Sequence, residues 1–245
     1  MESPVLIRPL TSHDDFKECV EFQRTIWGLD YGDVVPASIL KVSARVGGVV
    51  AGAFDTEGAM MGFVYGLAGL RDGKPIHWSH MLAVAPSHRN GGVGRRLKEF
   101  QAREVAIQGI RTMLWTFDPL VARNAHFNLN RLGARVEEYV EQMYGETGSA
   151  LHTFGTDRFV VRWEPETAPA PQSETELGEE ELVSIPGDVE SLAARDPAAA
   201  RRWRTTSRDA FSRLMSHGYG VVGFRPGSPG KEPTYVLRKV AGPAT

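Results

Sequence analysis

Along the first half of the chain, apolar residues alternate with polar ones in short runs and then recur every three to four positions. These changes of period mark out the elements. Val5 to Arg8 alternates and reads as a first strand closed by Pro9. Thr11 or Ser12 caps a helix whose apolar face is Phe16, Cys19, Val20, Gln23, Ile26 and Trp27. The stretch from Gly28 to Asp33 is a loop, and Pro36 opens a second helix, Ala37 to Arg45, that stops at Gly47-Gly48. Val49 to Phe54 and Met61 to Leu70 are apolar strands joined by the turn Asp55-Thr56-Glu57-Gly58. After a second turn, Arg71 to Pro75, the stretch Ile76 to Val84 is a fourth strand.

Beyond that strand the period is helical. Val93, Leu97, Phe100, Val105 and Ile107 give a third helix one apolar side, with Arg95, Arg96, Lys98, Glu99, Arg103 and Glu104 turned to water. Thr112 to Phe117 is a fifth strand, expected parallel to the fourth because a whole helix crosses between them. Asp118-Pro119 reads as the start of a fourth helix that runs to Leu132 and stops at Gly133. Ala134 to Val140 and Arg158 to Trp163 are a sixth and a seventh strand. From Glu164 to Gly178 the chain turns rich in Pro, Ala, Glu, Ser and Thr, as an extended solvated linker would. A strand at Leu182 to Ile185, helices at Asp188 to Arg195 and Pro197 to His217, and strands at Tyr219 to Phe224 and Tyr235 to Val240 complete the pattern.

The candidate chemistry lies between the fourth strand and the third helix, at Arg89-Asn90-Gly91-Gly92-Val93-Gly94. Glycines there remove the side chains that would block close approach to the backbone where a helix begins. The first amides of a helix lack partners within it, and its dipole favours negative charge at that end, so a strand feeding such a bend suits a diphosphate. A Walker loop needs Gly, four residues, then Gly-Lys-Ser/Thr; a dinucleotide fingerprint needs G-x-G-x-x-G. Neither spacing occurs here.

The strand ending Leu82-Ala83-Val84, the Pro86 turn and Arg-x-x-Gly-x-Gly resemble the diphosphate arm of the GCN5-related N-acetyltransferase (GNAT) superfamily. The order β-α-α-β-β-β-α-β-α-β-β extends the resemblance from Val5 to Trp163. It implies an α+β fold: a mixed, mostly antiparallel sheet with splayed parallel fourth and fifth strands, flanked by helices. Residues 1–164 would form the catalytic domain, 165–178 the linker, and 179–245 a C-terminal α/β extension. That extension resembles the closing helix-strand-strand of the same fold, and reads either as a partial repeat or as an extension packed on the first domain.

The resemblance also implies a coenzyme A thioester as co-substrate and no metal. Arg89, Asn90, Gly91, Gly92, Val93, Gly94 and Arg95 would hold the diphosphate; the backbone of Leu82, Ala83 and Val84, with Asn124 and Phe127, would hold the pantetheine arm. For a base the fourth strand offers His80 and, less well placed, His77; strand parity sets His80 on the face of Leu82 and Val84. Many family members carry a Tyr as acid where this chain has Leu129, in an apolar row with Val121, Ala125 and Leu132. Tyr144 is the substitute, unless the thiolate leaves unprotonated. Asp118 is assigned to capping. Trp27, Tyr31, His152 and Arg158 stand in the loops expected to shape the acceptor site. DPLVARNAHFNLNRLGA, YGETGS and TDRFVVRW are similar to a subgroup linked to N-succinylation of amino acids, which makes the donor acetyl-CoA or succinyl-CoA and the acceptor a small-molecule amine. A protein N-acetyltransferase and a non-catalytic CoA-binding module stay open, as does a homodimer.

Charge and composition narrow this further. Of 245 residues 42% are hydrophobic, enough for a core, and the net charge of −2 with no basic block disfavours nucleic acid and anionic membranes as partners. The single cysteine, Cys19, sits among apolar residues, so no disulfide framework can form within the chain, and a cytoplasmic setting is expected. No apolar run reaches the length of a signal peptide or a membrane span.

Overall fold

A computed structural model describes residues 5–29, 31–145, 155–165 and 180–240. The chain forms two compact units, one of Met1–Trp115 with Glu164–Glu166, the other of Thr116–Trp163 with Thr167–Thr245. The expected change at residue 164 is one of composition, whereas the compact units part within the fifth strand.

In the first unit the strands are β1 (Leu6–Pro9), β2 (Val49–Phe54), β3 (Met60–Arg71), β4 (Lys74–Val84) and β5 (Met113–Phe117), which leaves this unit at Trp115. Their hydrogen-bonded order is β1-β2-β3-β4-β5, antiparallel up to β4, with β4 and β5 parallel. Helices α1 (His13–Trp27) and α2 (Ala37–Arg45) cover one face. The start of α1 is fixed by Ser12, whose hydroxyl accepts from the Asp15 N–H while the Asp15 carboxylate accepts from the Ser12 N–H, a capping box. Phe16, Cys19, Leu40, Phe63, Tyr65 and Met81 pack beneath these two helices.

Helix α3 (Val93–Ile107) covers the other face, and here two expected sides are reversed. Ile107 is 82% exposed and Phe100 only half-buried, while Lys98 is 2% exposed and Gln101 wholly enclosed. At about 100° of rotation per residue, Val93, Leu97, Lys98, Gln101 and Val105 share one stripe, which leaves Ile107 and Phe100 behind it. Two polar side chains therefore enter the core, and an apolar one faces water.

In the second unit the order is β5-β7-β6, with β6 (Arg135–Val140) antiparallel to β7 (Arg158–Trp163). The C-terminal elements are β8 (Glu181–Ser184), α5 (Val189–Arg195), α6 (Pro197–Ser216), β9 (Tyr219–Arg225) and β10 (Thr234–Lys239); their strands form an antiparallel sheet in the order β8-β10-β9. Phe159 of β7, Phe211 of α6 and Tyr235 of β10 meet edge to face with ring centroids 4.8–5.4 Å apart. Below them the enclosed Asp157 accepts from Tyr139 Oη at 2.6 Å and from the Arg208 guanidinium at 2.7 and 2.9 Å. Burial acts to raise the Asp157 carboxyl, but the bonds from Arg208, Tyr139 and the Gln142 N–H outweigh it and hold its pKa below the usual range.

The expected fourth helix is shorter and differently wound. Helix α4 (Ala122–Ala125) is one α-turn that passes into a π-helical stretch, His126–Arg131, where the Leu132 N–H donates to the Phe127 carbonyl. Asp118 does not cap it. One Asp118 oxygen accepts from the Leu120 N–H in a turn, the other from Arg204, and the Pro119 carbonyl is taken by Tyr235 Oη at 2.8 Å. The wider turn also breaks the apolar row, since Asn128 is buried where Leu129 was expected.

Candidate functional site

The site of the first unit is built on β4. Its ladder with β5 holds two pairs, His77 with Met113 and Trp78 with Leu114, and ends there. Among the described residues the strand from Ser79 to Val84 is paired to β3 alone, so the edge that would continue the parallel ladder carries no strand pairing there. Leu82, Ala83 and Val84 lie on this stretch.

His80 occupies a bulge. Met81 pairs with Tyr65 and Ser79 with the next residue, Gly66, which leaves His80 as the extra residue of β4. Strand parity therefore fails at this residue. Met81 faces the α1–α2 side with Tyr65, whereas Ser79 and His77 face α3. His80 is turned not with Leu82 and Val84 but against Tyr65, ring centroids 5.8 Å apart, and Tyr65 Oη is hydrogen-bonded to Ser43 Oγ at 2.9 Å. The ring is open to solvent on one side, yet its surroundings desolvate it enough to lower its pKa below the usual histidine value, against the pull of Asp33. Near neutral pH it is an uncharged imidazole able to accept a proton. His77 is enclosed, and burial, with Lys98 nearby, pushes its pKa down to about 4.

At the far end of β4 a short 3-10 turn, Pro86–His88, leads to the bend. Asn90 and Gly92 are left-handed, with φ of 65° and 75°, conformations that Gly adopts freely and Asn more readily than most residues. Gly92 is the N-cap of α3 and offers no side chain to its amides, so the helix presents bare N–H groups. Arg89 folds back to the β4 end, its Nε donating to the Val84 carbonyl at 3.3 Å. Arg95 is exposed and paired with Glu99 at 2.7 Å. Val93 is buried and anchors the first turn.

Trp27 and Tyr31 stand together at the end of α1, ring centroids 5.1 Å apart, with Trp27 edge-on to Phe63. Both are half-buried against the α1–α2 core.

In the second unit, Tyr144 Oη is 3.0 Å from Thr116 Oγ1 and the Arg158 guanidinium lies 5.3 Å from the Tyr144 ring. Arg158 is largely buried, donates to the Asp157 carbonyl and approaches Asp118 at 3.6 Å. Asn124 and Phe127 are half-buried on α4 and the π-helical stretch. His152 lies outside the described residues.

One group at the site escaped the sequence reading. Lys98 Nζ donates to Ser79 Oγ at 2.7 Å and sits 3.6 Å from the centre of the Trp115 ring. The signal was available in the phase of α3, since Leu97, Gln101 and Val105 bracket Lys98 on the inward stripe.

No protein-family model matches the chain, and no curated protein does. Solved structures do match. An acetyltransferase of the GNAT family from Streptococcus pneumoniae superposes with a TM-score of 0.52 at 18% identity, covering 66% of this chain and 99% of its own. YncA from Salmonella typhimurium, solved with acetyl-CoA, gives 0.51 at 18%, covering 69% and 98%. The ribosomal-protein-S18-alanine N-acetyltransferase from Escherichia coli gives 0.51 at 15%, with the same coverage. At these identities the likeness is one of fold: the chain has the GNAT fold over about two-thirds of its length.

Proposed function

We propose that this protein is an N-acyltransferase that moves an acyl group from coenzyme A to an amine. One observation carries the reading: β4 leaves β5 after Trp78, and its unpaired edge runs into a left-handed bend and the uncapped start of α3. A pantetheine arm is a chain of amides that can continue such an edge, and a diphosphate suits the bare N–H groups at its end. Leu82, Ala83 and Val84 supply the backbone for the arm; Arg89, Asn90, Gly91, Gly92, Val93, Gly94 and Arg95 supply the cradle; Asn124 and Phe127 are the side-chain candidates along the arm.

Acyl transfer needs a neutral amine. His80 takes the ammonium proton directly or through water, the amine nitrogen bonds to the thioester carbonyl carbon, and the carbon–sulfur bond breaks. The departing thiolate takes its proton from Tyr144 or from water. The acceptor is a small molecule, an amino acid first of all, with Trp27, Tyr31, His152 and Arg158 as the residues that shape its site; the donor is acetyl-CoA or succinyl-CoA. The α1 end with Trp27 and Tyr31 stands on the same side of the sheet as His80 and Tyr65, which supports an acceptor entering there.

The test is thiol release from acetyl-CoA and from succinyl-CoA against a panel of D- and L-amino acids, polyamines and peptides. Turnover with an amino acid is expected. CoA binding with no turnover across the panel would make the protein a CoA-binding module, and turnover with peptides alone would move the acceptor to proteins.

A further inference from the structure

We infer that Lys98 is a positioning residue that clips the two arms of the β4–β5 fork at the point where they part. The inference rests on the acyltransferase reading for its consequence, and on geometry for its substance. The last ladder pairs are His77 with Met113 and Trp78 with Leu114. The next residue on each arm is Ser79 and Trp115, and Lys98 Nζ touches both, at 2.7 Å from Ser79 Oγ and 3.6 Å from the Trp115 ring centre. Lys98 hangs from α3, five residues beyond Val93, where the proposed diphosphate cradle ends. A single side chain thus ties the cradle helix to the first residue of each strand beyond their shared ladder.

The clip also bears on His80. Ser79 faces α3, His80 is the bulge residue, and Met81 faces α1 and α2, so the chain changes sides within three residues. Holding Ser79 toward α3 fixes the side on which the bulge closes.

Stability does not account for Lys98 in this place. It is fully buried, and among the described residues no carboxylate pairs with it. Its neighbours on the same face add cost. His77 and Gln101 are each wholly enclosed, and among the described residues both ring nitrogens of one and both amide atoms of the other find no hydrogen-bond partner. The space a Cβ would need at Gly66 is taken by His77 Nε2 at 2.2 Å and Gln101 Nε2 at 2.8 Å, so only glycine on β3 admits this polar layer. An apolar core would be cheaper to fold, and polar groups kept at such a cost mark a position held for another reason.

The experiment compares the full chain with Lys98→Met, Ser79→Ala and the double variant by three measurements. Melting temperature is expected to stay level or rise in Lys98→Met, because a buried amine is replaced by an apolar side chain of similar size. Affinity for CoA is expected to fall about tenfold, the loss that corresponds to about one net hydrogen bond. Ser79→Ala should lose affinity in the same direction, and the double variant should be no worse than Lys98→Met, as two ends of one clip require. Hydrogen exchange over His80 to Val84 in the CoA-free protein should quicken in each variant. CoA affinity equal to the parent's, or a loss that only follows a lowered melting temperature, overturns the assignment. If the parent itself binds no CoA, the acyltransferase reading fails, and unchanged exchange in the variants then removes the clip separately.

Discussion

Two histidines three residues apart on β4 differ in what surrounds them, and each difference can be measured. His77 is enclosed and its pKa is pushed down to about 4, against an ordinary value of 6.5. A lowered histidine pKa means that the unfolded chain takes up a proton the native state refuses. Its burden on stability is absent above pH about 6.5 and grows as pH falls toward about 4, reaching about 3 kcal/mol. Asp15 and Asp157, whose pKa values are lowered, act in the other direction and withdraw their stabilisation only as pH drops below the ordinary carboxylate value of 3.8. Denaturant midpoints from pH 7 to pH 4 should therefore slope downward in the parent and flatten in His77→Leu; an equal slope in both would clear His77. His80 is open on one side and also shifted downward, with desolvation the first cause. In its proposed role of general base it would give kcat/KM an acid limb with an apparent pKa below 6.5, and His80→Ala should lose about 100-fold in rate together with that limb. An acid limb that persists in the variant would assign it to another group.

Among the elements, the bend before α3 holds two left-handed residues, Asn90 and Gly92. At Gly92 a φ of 75° suits glycine, and nothing lies within 4 Å of where a Cβ would stand, so the cost of a side chain there is local strain and obstruction of the proposed cradle rather than a clash with the core. Gly92→Val should leave the far-ultraviolet spectrum unchanged and remove measurable CoA binding. Undiminished binding by calorimetry would refute the cradle. The π-helical stretch after α4 belongs to this scale too. Its wider turn brings Asn128 inward, and the Asn128 side chain donates to the Asn124 carbonyl at 2.8 Å.

For the molecule as a whole, the C-terminal third is part of a core rather than an appendage to one. Phe211 of α6 and Tyr235 of β10 pack on Phe159 of β7, and Arg204 and Arg208 of α6 bond to Asp118 and Asp157. Ending the chain after Glu164 would uncover Phe159 and leave the enclosed Asp157 without the guanidinium of Arg208. Loss of one partner from a buried pair costs about 3–5 kcal/mol before the apolar loss is added. The shortened chain should fail to melt cooperatively by calorimetry; a sharp transition near the parent's would show that residues 5–164 stand alone. Among the described residues no helix is long and apolar enough to cross a membrane.

Much of this is written in the order of residues along the chain. Alternation and turn residues marked β2, α2 and β7 to the residue, and the helix crossing from β4 to β5 required those strands to be parallel. Gly, Asn and Pro set the bend because they limit backbone angles locally, and local limits are written in the chain. What the tertiary structure alone decided depends on partners distant in sequence. The bulge at His80 arises from registry with β3, so strand parity could not foresee the side the ring takes. The inward turn of Lys98 depends on which stripe of α3 meets the sheet. The late start of α4 follows from Arg204 and Tyr235, about a hundred residues on, which claim Asp118 and the Pro119 carbonyl. Periodicity records which residues prefer burial; only packing determines what each one meets there.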